Sequence, residues 1–299
     1  MTDKLARGIW PALVTPFTDD GNGVATDRVD PLIRHLLVAG AQGFFVCGGT
    51  GEGVAMTVDE RKAMTEATVA SVAGAVPLIF QVGATSTDHA VELARHAAQT
   101  GADAVASVAP LDQPNALHAA VAHYRAIGAA TDLPFYVYWI AGTADQSVSA
   151  EQYLEAMAAV PNFSGLKFTD SNFYLFQRLV QLGSQRLNLI SGPDEICLGG
   201  MVAGSDAAIG STYNIMPKIF LEMRRQFETG DIRSAMALQA RANEVISMLF
   251  GFGILAAIKS MMGMRGVVGG TPRAPHPPLD ENRQADLQKA VDGLGFAVE

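Results

Sequence analysis

The strongest constraint on the fold of this chain is a pattern that recurs eight times along it. Each time, a short run of apolar, β-branched or aromatic residues precedes a longer, alanine-rich stretch whose apolar residues have helical spacing. The eight runs cover residues 9–17, 43–48, 77–83, 103–110, 134–140, 163–169, 187–192 and 206–211. The pattern predicts eight strands that alternate with helices.

The runs are almost continuously apolar, which is typical of parallel strands that helices cover on both faces. Eight such units predict an α/β fold, a (β/α)8 TIM barrel. The alternative is a doubly wound open sheet, which usually has fewer strands and a glycine-rich dinucleotide-binding turn after the first one. Here the first run continues into TPFTDDGNG, which favours the barrel.

Local signals mark several helix starts. A hydroxyl residue directly before a helical stretch can accept a hydrogen bond from a free backbone N–H of the first turn. We therefore expect N-caps at Thr57, at Thr85 or Ser86, and at Ser149.

The strand signal stops near residue 225. The segment 231–263 has the spacing of two helices, a proline-rich turn covers 271–278, and 281–294 has the pattern of an amphipathic helix. No low-complexity linker interrupts the chain. We expect a barrel in residues 1–225, which carries the active site, and a C-terminal helical extension in residues 226–299 that packs on the barrel.

Composition and charge exclude several classes of protein. The 299 residues are 49% hydrophobic and 17% charged, which is typical of a globular protein. A net charge of −9 argues against a nucleic-acid partner, because binding to phosphates requires a basic surface. No run approaches the roughly 18 apolar residues of a membrane span, and the N-terminus lacks the apolar core of a signal peptide. With only Cys47 and Cys197, both expected to be buried, we expect a cytoplasmic protein without membrane contact.

Lys167 is the first candidate for catalysis. In a (β/α)8 barrel the active site lies at the carboxyl ends of the strands, and Lys167 lies near the end of the sixth predicted strand, in SGLKFTD. Burial lowers the pKa of a lysine amine towards the neutral form, the nucleophile that attacks a ketone. Lys167 is therefore a candidate for Schiff-base formation; the alternative is a lysine that extends to solvent or pairs with Asp170.

Tyr138 lies in the fifth predicted strand, next to the strand of Lys167. Its phenol can transfer a proton to or from a carbinolamine or from a hydroxyl at a breaking bond. The alternative is a packing role, as for Tyr136 on the same strand.

Three loops at predicted strand ends offer binding groups. GGTGEG, residues 48–53, has successive glycines whose backbone N–H groups can bind an anion such as a carboxylate. SGPDE, residues 191–195, and GSTYN, residues 210–214, carry hydroxyl and carboxylate groups that suit a polyhydroxylated ligand. Each loop alone is also compatible with an ordinary turn.

The six histidines show no metal-binding pattern. They lie on predicted helices or in the proline-rich turn, without ligand spacing to Cys, Asp or Glu residues. We expect no metal, and surface positions for His35, His89, His96, His118, His123 and His276.

The motifs in their order along the chain resemble a known family. GGTGE after strand two, a tyrosine at the end of strand five, GLKFTD, GPDE and GSTYN are similar to the N-acetylneuraminate lyase / dihydrodipicolinate synthase family of class I, pyruvate-handling (β/α)8 enzymes. The resemblance extends from the first strand through the C-terminal helices. It implies a homotetramer that binds a small 2-keto acid and forms a covalent imine on a lysine without an external cofactor.

The resemblance also assigns roles to single residues. It implies that Lys167 forms the imine with the 2-keto acid and that Tyr138 transfers the proton. The N–H groups of Gly49 and Thr50, with the Thr50 hydroxyl, would hold the pyruvate carboxylate, and the carbonyl of Ile209 would lie near the imine.

Within the family, the N-acetylneuraminate lyase branch is the closer match. Five residues match those that contact the sugar chain in that branch: Thr169, Gly192, Asp194, Glu195 and Ser211. The synthase branch instead has an arginine five residues after the tyrosine, where this chain has Thr143.

The chain departs from the family pattern in the usual proton relay. Gly49 replaces the first hydroxyl residue of the carboxylate loop, and Asp112 replaces a tyrosine whose loop reaches a neighbouring subunit's site. Trp139 replaces the usual Asn or His after the catalytic tyrosine. Asp112 is therefore the candidate for a relay group from the neighbouring subunit.

The function implied by the resemblance is a Schiff-base-forming lyase. Such an enzyme cleaves a hydroxylated 2-keto acid, of the sialic acid or 2-keto-3-deoxy sugar acid type, to pyruvate and an aldehyde. Three alternatives remain: a 2-keto-3-deoxy sugar acid dehydratase, a condensation like that of dihydrodipicolinate synthase, and a regulatory protein that binds a keto acid without turnover.

Overall fold

The computed structural model describes residues 4–113, 115–142, 145, 147–295 and 298. Thr143, which bears on the choice between the lyase and synthase branches, lies outside the described residues.

Eight parallel strands form the centre of the fold. They are β1 Gly8–Pro11, β2 Phe44–Val46, β3 Leu78–Gln81, β4 Ala104–Ser107, β5 Phe135–Ile140, β6 Phe163–Thr169, β7 Asn188–Ser191 and β8 Ala207–Gly210. Neighbours are hydrogen-bonded in the order β1-β8-β7-β6-β5-β4-β3-β2. A parallel bridge between Ala12 and Phe45 joins the two ends of this order and closes the sheet. The predicted (β/α)8 TIM barrel is confirmed.

The described residues also form eleven α-helices. The first eight are α1 Val29–Val38, α2 Val58–Val72, α3 Thr87–Thr100, α4 Leu117–Gly128, α5 Ala150–Met157, α6 Phe173–Gly183, α7 Cys197–Val202 and α8 Pro217–Glu228. Each of these follows one strand. The C-terminal helices are α9 Ile232–Phe252, α10 Ile254–Met264 and α11 Glu281–Asp292.

The predicted N-caps are found at the starts of three helices. Thr57 caps α2 in a reciprocal capping box with Glu60. Ser86, and not Thr85, caps α3. Ser149 caps α5.

The first apolar run is a strand only in part. β1 ends at Pro11, although the run continues to residue 17. Beyond β1, Ala12 N donates to Gly210 O and Leu13 N donates to Phe45 O, each at 2.9 Å. The backbone therefore bonds to both neighbouring strands beyond β1 without forming a longer strand. Residues 12–17 of the run belong to a buried coil.

Alternate strand positions separate an inner core from an outer one. On β5, Tyr136 and Tyr138 belong to the cluster inside the barrel, whereas Val137 and Trp139 pack in the cluster between strands and helices. Every second residue of a strand therefore points into the barrel, where the carboxyl-end residues line a site.

The C-terminal helices continue the fold beyond the eighth strand–helix unit. The expected boundary at residue 225 falls within α8, and the division into two units stays a prediction. Among the described helices, none is by itself both long and apolar enough to cross a membrane; α9 and α10 meet that criterion only as a pair, which is bent by 110°.

Candidate active site

Lys167 and Tyr138 lie side by side inside the barrel. The strand register pairs Tyr138 of β5 with Lys167 of β6. The two residues are 7% and 4% exposed, respectively. Lys167 Nζ lies 4.1 Å from the centroid of the Tyr138 ring and 4.3 Å from that of Phe45. The amine is therefore held between two aromatic rings, away from bulk water.

Burial controls the protonation of this lysine. Desolvation lowers the pKa of Lys167 to about 7, and the carboxylate of Asp194 opposes the shift only in part. At pH 7 roughly half of the amines are neutral, against roughly one in several thousand for an exposed lysine. Asp170, the alternative partner, instead accepts hydrogen bonds from Trp139 Nε1 and Asn172 N.

Tyr138 keeps its proton at neutral pH. Burial raises the pKa of its phenol to about 12; the Thr169 hydroxyl opposes this shift and the Asp194 carboxylate adds to it. A Cβ atom on Gly49 would lie 3.8 Å from Tyr138 Oη, so the loop after β2 begins within reach of the phenol. The phenol can therefore donate a proton to a group that lies between the loop and Lys167.

The glycine-rich loop, residues 48–53, forms a tight turn at the end of β2. Glu52 N donates to Gly49 O at 3.0 Å, and no hydrogen bond among the described residues uses the N–H groups of Gly49 and Thr50. The Thr50 hydroxyl lies 2.6 Å from Ser211 Oγ, which joins this loop to the one after β8. Two N–H donors and a hydroxyl pair are thus available to an anion.

The loops after β7 and β8 meet at Asp194. Its Oδ2 accepts hydrogen bonds of 2.7 Å from both the N–H and the hydroxyl of Thr212. Burial nevertheless raises the pKa of Asp194 to about 6. Glu195 beside it is exposed. A Cβ atom on Gly192 would lie 2.0 Å from Thr169 Oγ1, so the close approach of these two residues requires glycine.

A cavity of about 520 Å³ lies among these loops. Its polar lining includes Thr169 and Ser211, with the carboxylates described above. The C-terminal helices add an apolar wall of Ile246, Phe250 and Ile254. Sequence analysis missed this wall, because its residues have the same helical spacing as residues of an ordinary core.

The site holds most of the predicted residues, and the inner core contains Ile209 of β8 with Tyr138. Asp112 lies apart from them. It is exposed and lines a separate groove of about 560 Å³ with His118 and His123. A role for Asp112 in a neighbouring subunit's site stays a prediction.

His123 corrects the expectation that all six histidines lie at the surface. It is buried on α4, and its Nδ1 and Nε2 atoms lie 2.9 and 3.0 Å from the hydroxyls of Thr87 and Ser107. Burial lowers its pKa to about 4, so a neutral ring is satisfied by two hydroxyls. Across the described residues, no three His, Cys, Asp or Glu side chains are grouped to hold a metal ion.

The chain matches the Dihydrodipicolinate synthetase family model over residues 5–294. It is 32% identical over 285 residues to the N-acetylneuraminate lyase of Rhizobium meliloti (strain 1021), a match that covers 95% of this chain and 94% of that protein. It is 33% identical over 303 residues to the N-acetylneuraminate lyase of Mus musculus, a match that covers 98% of this chain and 94% of that protein.

Solved structures agree with these relatives. Proteus mirabilis N-acetylneuraminate lyase has a TM-score of 0.92 and 32% identity, and covers 99% of this chain and 100% of that one. A catalytic lysine mutant of Ruminococcus gnavus sialic acid aldolase has a TM-score of 0.91 and 27% identity, and the match covers 96% of this chain and 95% of that one. Since both the sequence match and the barrel extend over nearly the whole chain, the protein belongs to the dihydrodipicolinate synthetase family.

Proposed function

We propose that the protein is a class I lyase that cleaves a hydroxylated 2-keto acid, of the sialic acid or 2-keto-3-deoxy sugar acid type, to pyruvate and an aldehyde. The observation that carries this proposal is the buried amine of Lys167, which has a pKa of about 7 and lies in register with Tyr138. The relatives add support: they are named N-acetylneuraminate lyases, and one related structure is that of a catalytic lysine mutant.

The reaction begins at the neutral amine of Lys167. The amine attacks C2 of the keto acid, and loss of water from the carbinolamine leaves an iminium. Tyr138, which has given its proton to the departing carbinolamine oxygen, then takes the proton of the C4 hydroxyl, directly or through water. The C3–C4 bond breaks, its electron pair forms the C2–C3 double bond of an enamine, and the electron pair of the C=N bond moves to the nitrogen. An aldehyde leaves, and the remaining enamine is protonated at C3 and hydrolysed to pyruvate and free lysine. The iminium accepts the electron pair, so the reaction needs no external cofactor.

Tyr138 is the proposed proton-transfer group. Its hydroxyl is protonated at neutral pH and its ring lies against the amine. The hydroxyl can therefore donate a proton to the carbinolamine oxygen as that oxygen leaves. Gly49 leaves the position beside the phenol open. A water molecule or the substrate carboxylate therefore completes the relay, and Asp112 of a neighbouring subunit in a homotetramer is the further candidate.

Substrate binding divides between two groups of residues. The N–H groups of Gly49 and Thr50 and the Thr50 hydroxyl, which Ser211 contacts, bind the carboxylate. The carbonyl of Ile209 faces the imine.

The part of the substrate that leaves as the aldehyde lies in the cavity, where polar groups can form hydrogen bonds with its hydroxyls. Thr169, Gly192, Asp194 and Glu195 line this part of the cavity. The apolar wall from α9 and α10 bounds it on another side.

The decisive experiment is reductive trapping of the imine. The protein is incubated with pyruvate, reduced with borohydride, digested and analysed by mass spectrometry. We expect a pyruvyl adduct on the peptide that contains Lys167, with no adduct in Lys167→Ala and a normal adduct in the control Lys62→Ala, which alters a lysine on the helical surface. A folded protein without an adduct, or with the adduct on another lysine, contradicts the proposal.

The product identifies the reaction. Pyruvate release from N-acetylneuraminate and from 2-keto-3-deoxy sugar acids is measured with a coupled dehydrogenase, and Lys167→Ala must abolish it. Formation of a dehydrated keto acid with the full carbon chain would instead assign the protein to the dehydratases.

A further inference from the structure

Glu52, the last residue of GGTGE, has a buried carboxylate that the proposed reaction does not use. Its side chain is 2% exposed, and its φ of 54° lies in the left-handed region, which is unfavourable for a residue with a Cβ atom. Its own N–H closes the turn on Gly49. The conformation of the proposed carboxylate-binding loop is therefore directly coupled to the position of Glu52.

Two residues from the C-terminal part of the chain hold the Glu52 carboxylate. Lys259 Nζ of α10 lies 2.6 Å from Oε1, with only 1% of its side chain exposed. Arg273 N donates to Oε2 at 2.7 Å. The partners are 207 and 221 positions away in the sequence, so both contacts depend on the completed fold.

The neighbours of these contacts restrict them further. The Arg273 guanidinium donates to both carboxylate oxygens of Glu60 in the first turn of α2, at 2.8 and 2.6 Å. Phe17 lies against both cations, with its ring centroid 4.5 Å from Lys259 Nζ and 4.1 Å from Arg273 Cζ. Few alternative positions remain for the Glu52 carboxylate.

Stability alone is a poor explanation for this pair. The loss of hydration on burying two charges often equals or exceeds their attraction, so an apolar or neutral pair of similar size can be equally stable. A buried pair does impose one geometry on the two elements that it joins. Here the two elements are α10 and the loop whose N–H groups face the proposed substrate.

We propose that Lys259 is a positioning residue, which acts through Glu52 to set the geometry of the loop that binds the substrate carboxylate. This inference rests on the proposed function of that loop. Lys259 touches no reacting atom. Replacement of Lys259 weakens the binding of the keto acid but leaves imine formation by the bound acid largely unchanged.

The test separates binding from chemistry. Imine trapping is measured as a function of pyruvate concentration for the wild type, Lys259→Met, Lys259→Arg and the double variant Glu52→Gln/Lys259→Met. The double variant leaves no unpaired buried charge and keeps an acceptor for Arg273 N, so it remains folded if the single variant does not. Lys62→Met is the matched control, because it breaks a more exposed lysine–glutamate pair, with Glu92.

We expect Lys259→Met and the double variant to raise the half-saturating pyruvate concentration by about tenfold or more, since small misplacements of binding groups have large effects. Trapping at saturating pyruvate stays near the wild-type level, Lys259→Arg restores part of the affinity, and Lys62→Met changes neither quantity. A folded double variant with a half-saturating concentration within about twofold of the wild type overturns the inference. A variant that lowers trapping at saturating pyruvate but leaves the half-saturating concentration unchanged also overturns it. Absence of trapping in the wild type itself contradicts the proposed function instead.

Discussion

At the scale of the residue, the lowered pKa of Lys167 determines the pH dependence of the reaction. The pKa falls from 10.5 to about 7, so the amine is protonated and unreactive below pH 7 and neutral above it. We expect kcat/KM for cleavage to rise with pH and to level off above about pH 7, because this ratio reports the ionisation of the free enzyme.

Asp194 provides the control for this prediction. Its carboxylate favours the charged amine, so Asp194→Asn should move the midpoint of imine formation, followed by trapping, to lower pH. A midpoint near 10 in the wild type would show that the amine of Lys167 is not desolvated.

The phenol of Tyr138 gives a second prediction at this scale. Tyr138→Phe should lower kcat for pyruvate release by about 10²–10⁴-fold, the range for loss of a general acid or base. Tyr136→Phe is the matched control on the same strand. Its hydroxyl donates to Asn188 Oδ1 at 3.0 Å, so its loss should reduce stability by about 1 kcal/mol and leave kcat within a few-fold of the wild type. Similar kcat values for the two variants would remove Tyr138 from the mechanism.

At the scale of the element, the ends of β6 and β7 approach so closely that only glycine fits between them. In Gly192→Ala the new Cβ would lie 2.0 Å from Thr169 Oγ1 and 2.9 Å from its Cα. Since part of this contact is backbone, a rotamer change does not relieve it, and the strand ends must separate. We expect kcat/KM to fall by at least about tenfold, because both residues line the cavity.

Gly251→Ala is the control for that substitution. It lies on α9, and no atom lies within 4 Å of the position its Cβ would take. Alanine in a helix should maintain or raise the melting temperature there. Equal activities of the two alanine variants would show that the approach of the strand ends does not matter for catalysis.

The same elements show how far sequence can predict this fold. Strands buried on both faces are continuously apolar, so the sequence predicts the strand ends to within two residues, except at β1 and at the end of β4, which stops three residues before the predicted run 103–110 does. The run 9–17 is buried beyond Pro11 because its backbone bonds to both neighbouring strands, and burial alone does not distinguish a strand from such a coil. The capping signals at Thr57 and Ser149 were sufficient because a cap acts within its own turn.

The residues that sequence analysis missed act across long separations. Phe45 contacts Lys167, and Phe250, which is 63% exposed, borders the cavity, yet each is an ordinary apolar residue in its own element. The sequence predicts a surface position for His123, because the hydroxyls that satisfy its ring belong to Thr87 of α3 and Ser107 of β4 and are not visible from the α4 segment alone. No local pattern distinguishes Lys259, since its partner Glu52 lies 207 positions away.

At the scale of the whole molecule, the position of Asp112 raises the question of assembly. Asp112 is exposed and lines a groove that shares no lining residue with the cavity of Thr169 and Asp194. If it relays protons, it does so for the site of another subunit, as the expected homotetramer requires. Light scattering that detects only monomers under assay conditions would remove this role.

Complementation between subunits tests the role of Asp112 directly. Lys167→Ala lacks the nucleophile, and Asp112→Ala would lack the relay group that it lends to its neighbour. In a mixed pair, the site that keeps Lys167 receives Asp112 from the other subunit and is complete. If Asp112 is the relay group, neither variant has a complete site on its own, and random co-assembly of the two should restore up to about a quarter of the sites, since half of the pairs are mixed and each has one complete site. The measurement is pyruvate release from co-expressed variants, with separately expressed and then mixed proteins as the control. Full activity of Asp112→Ala alone, or no recovery in a confirmed hybrid, would show that each subunit completes its own relay through Tyr138 and water.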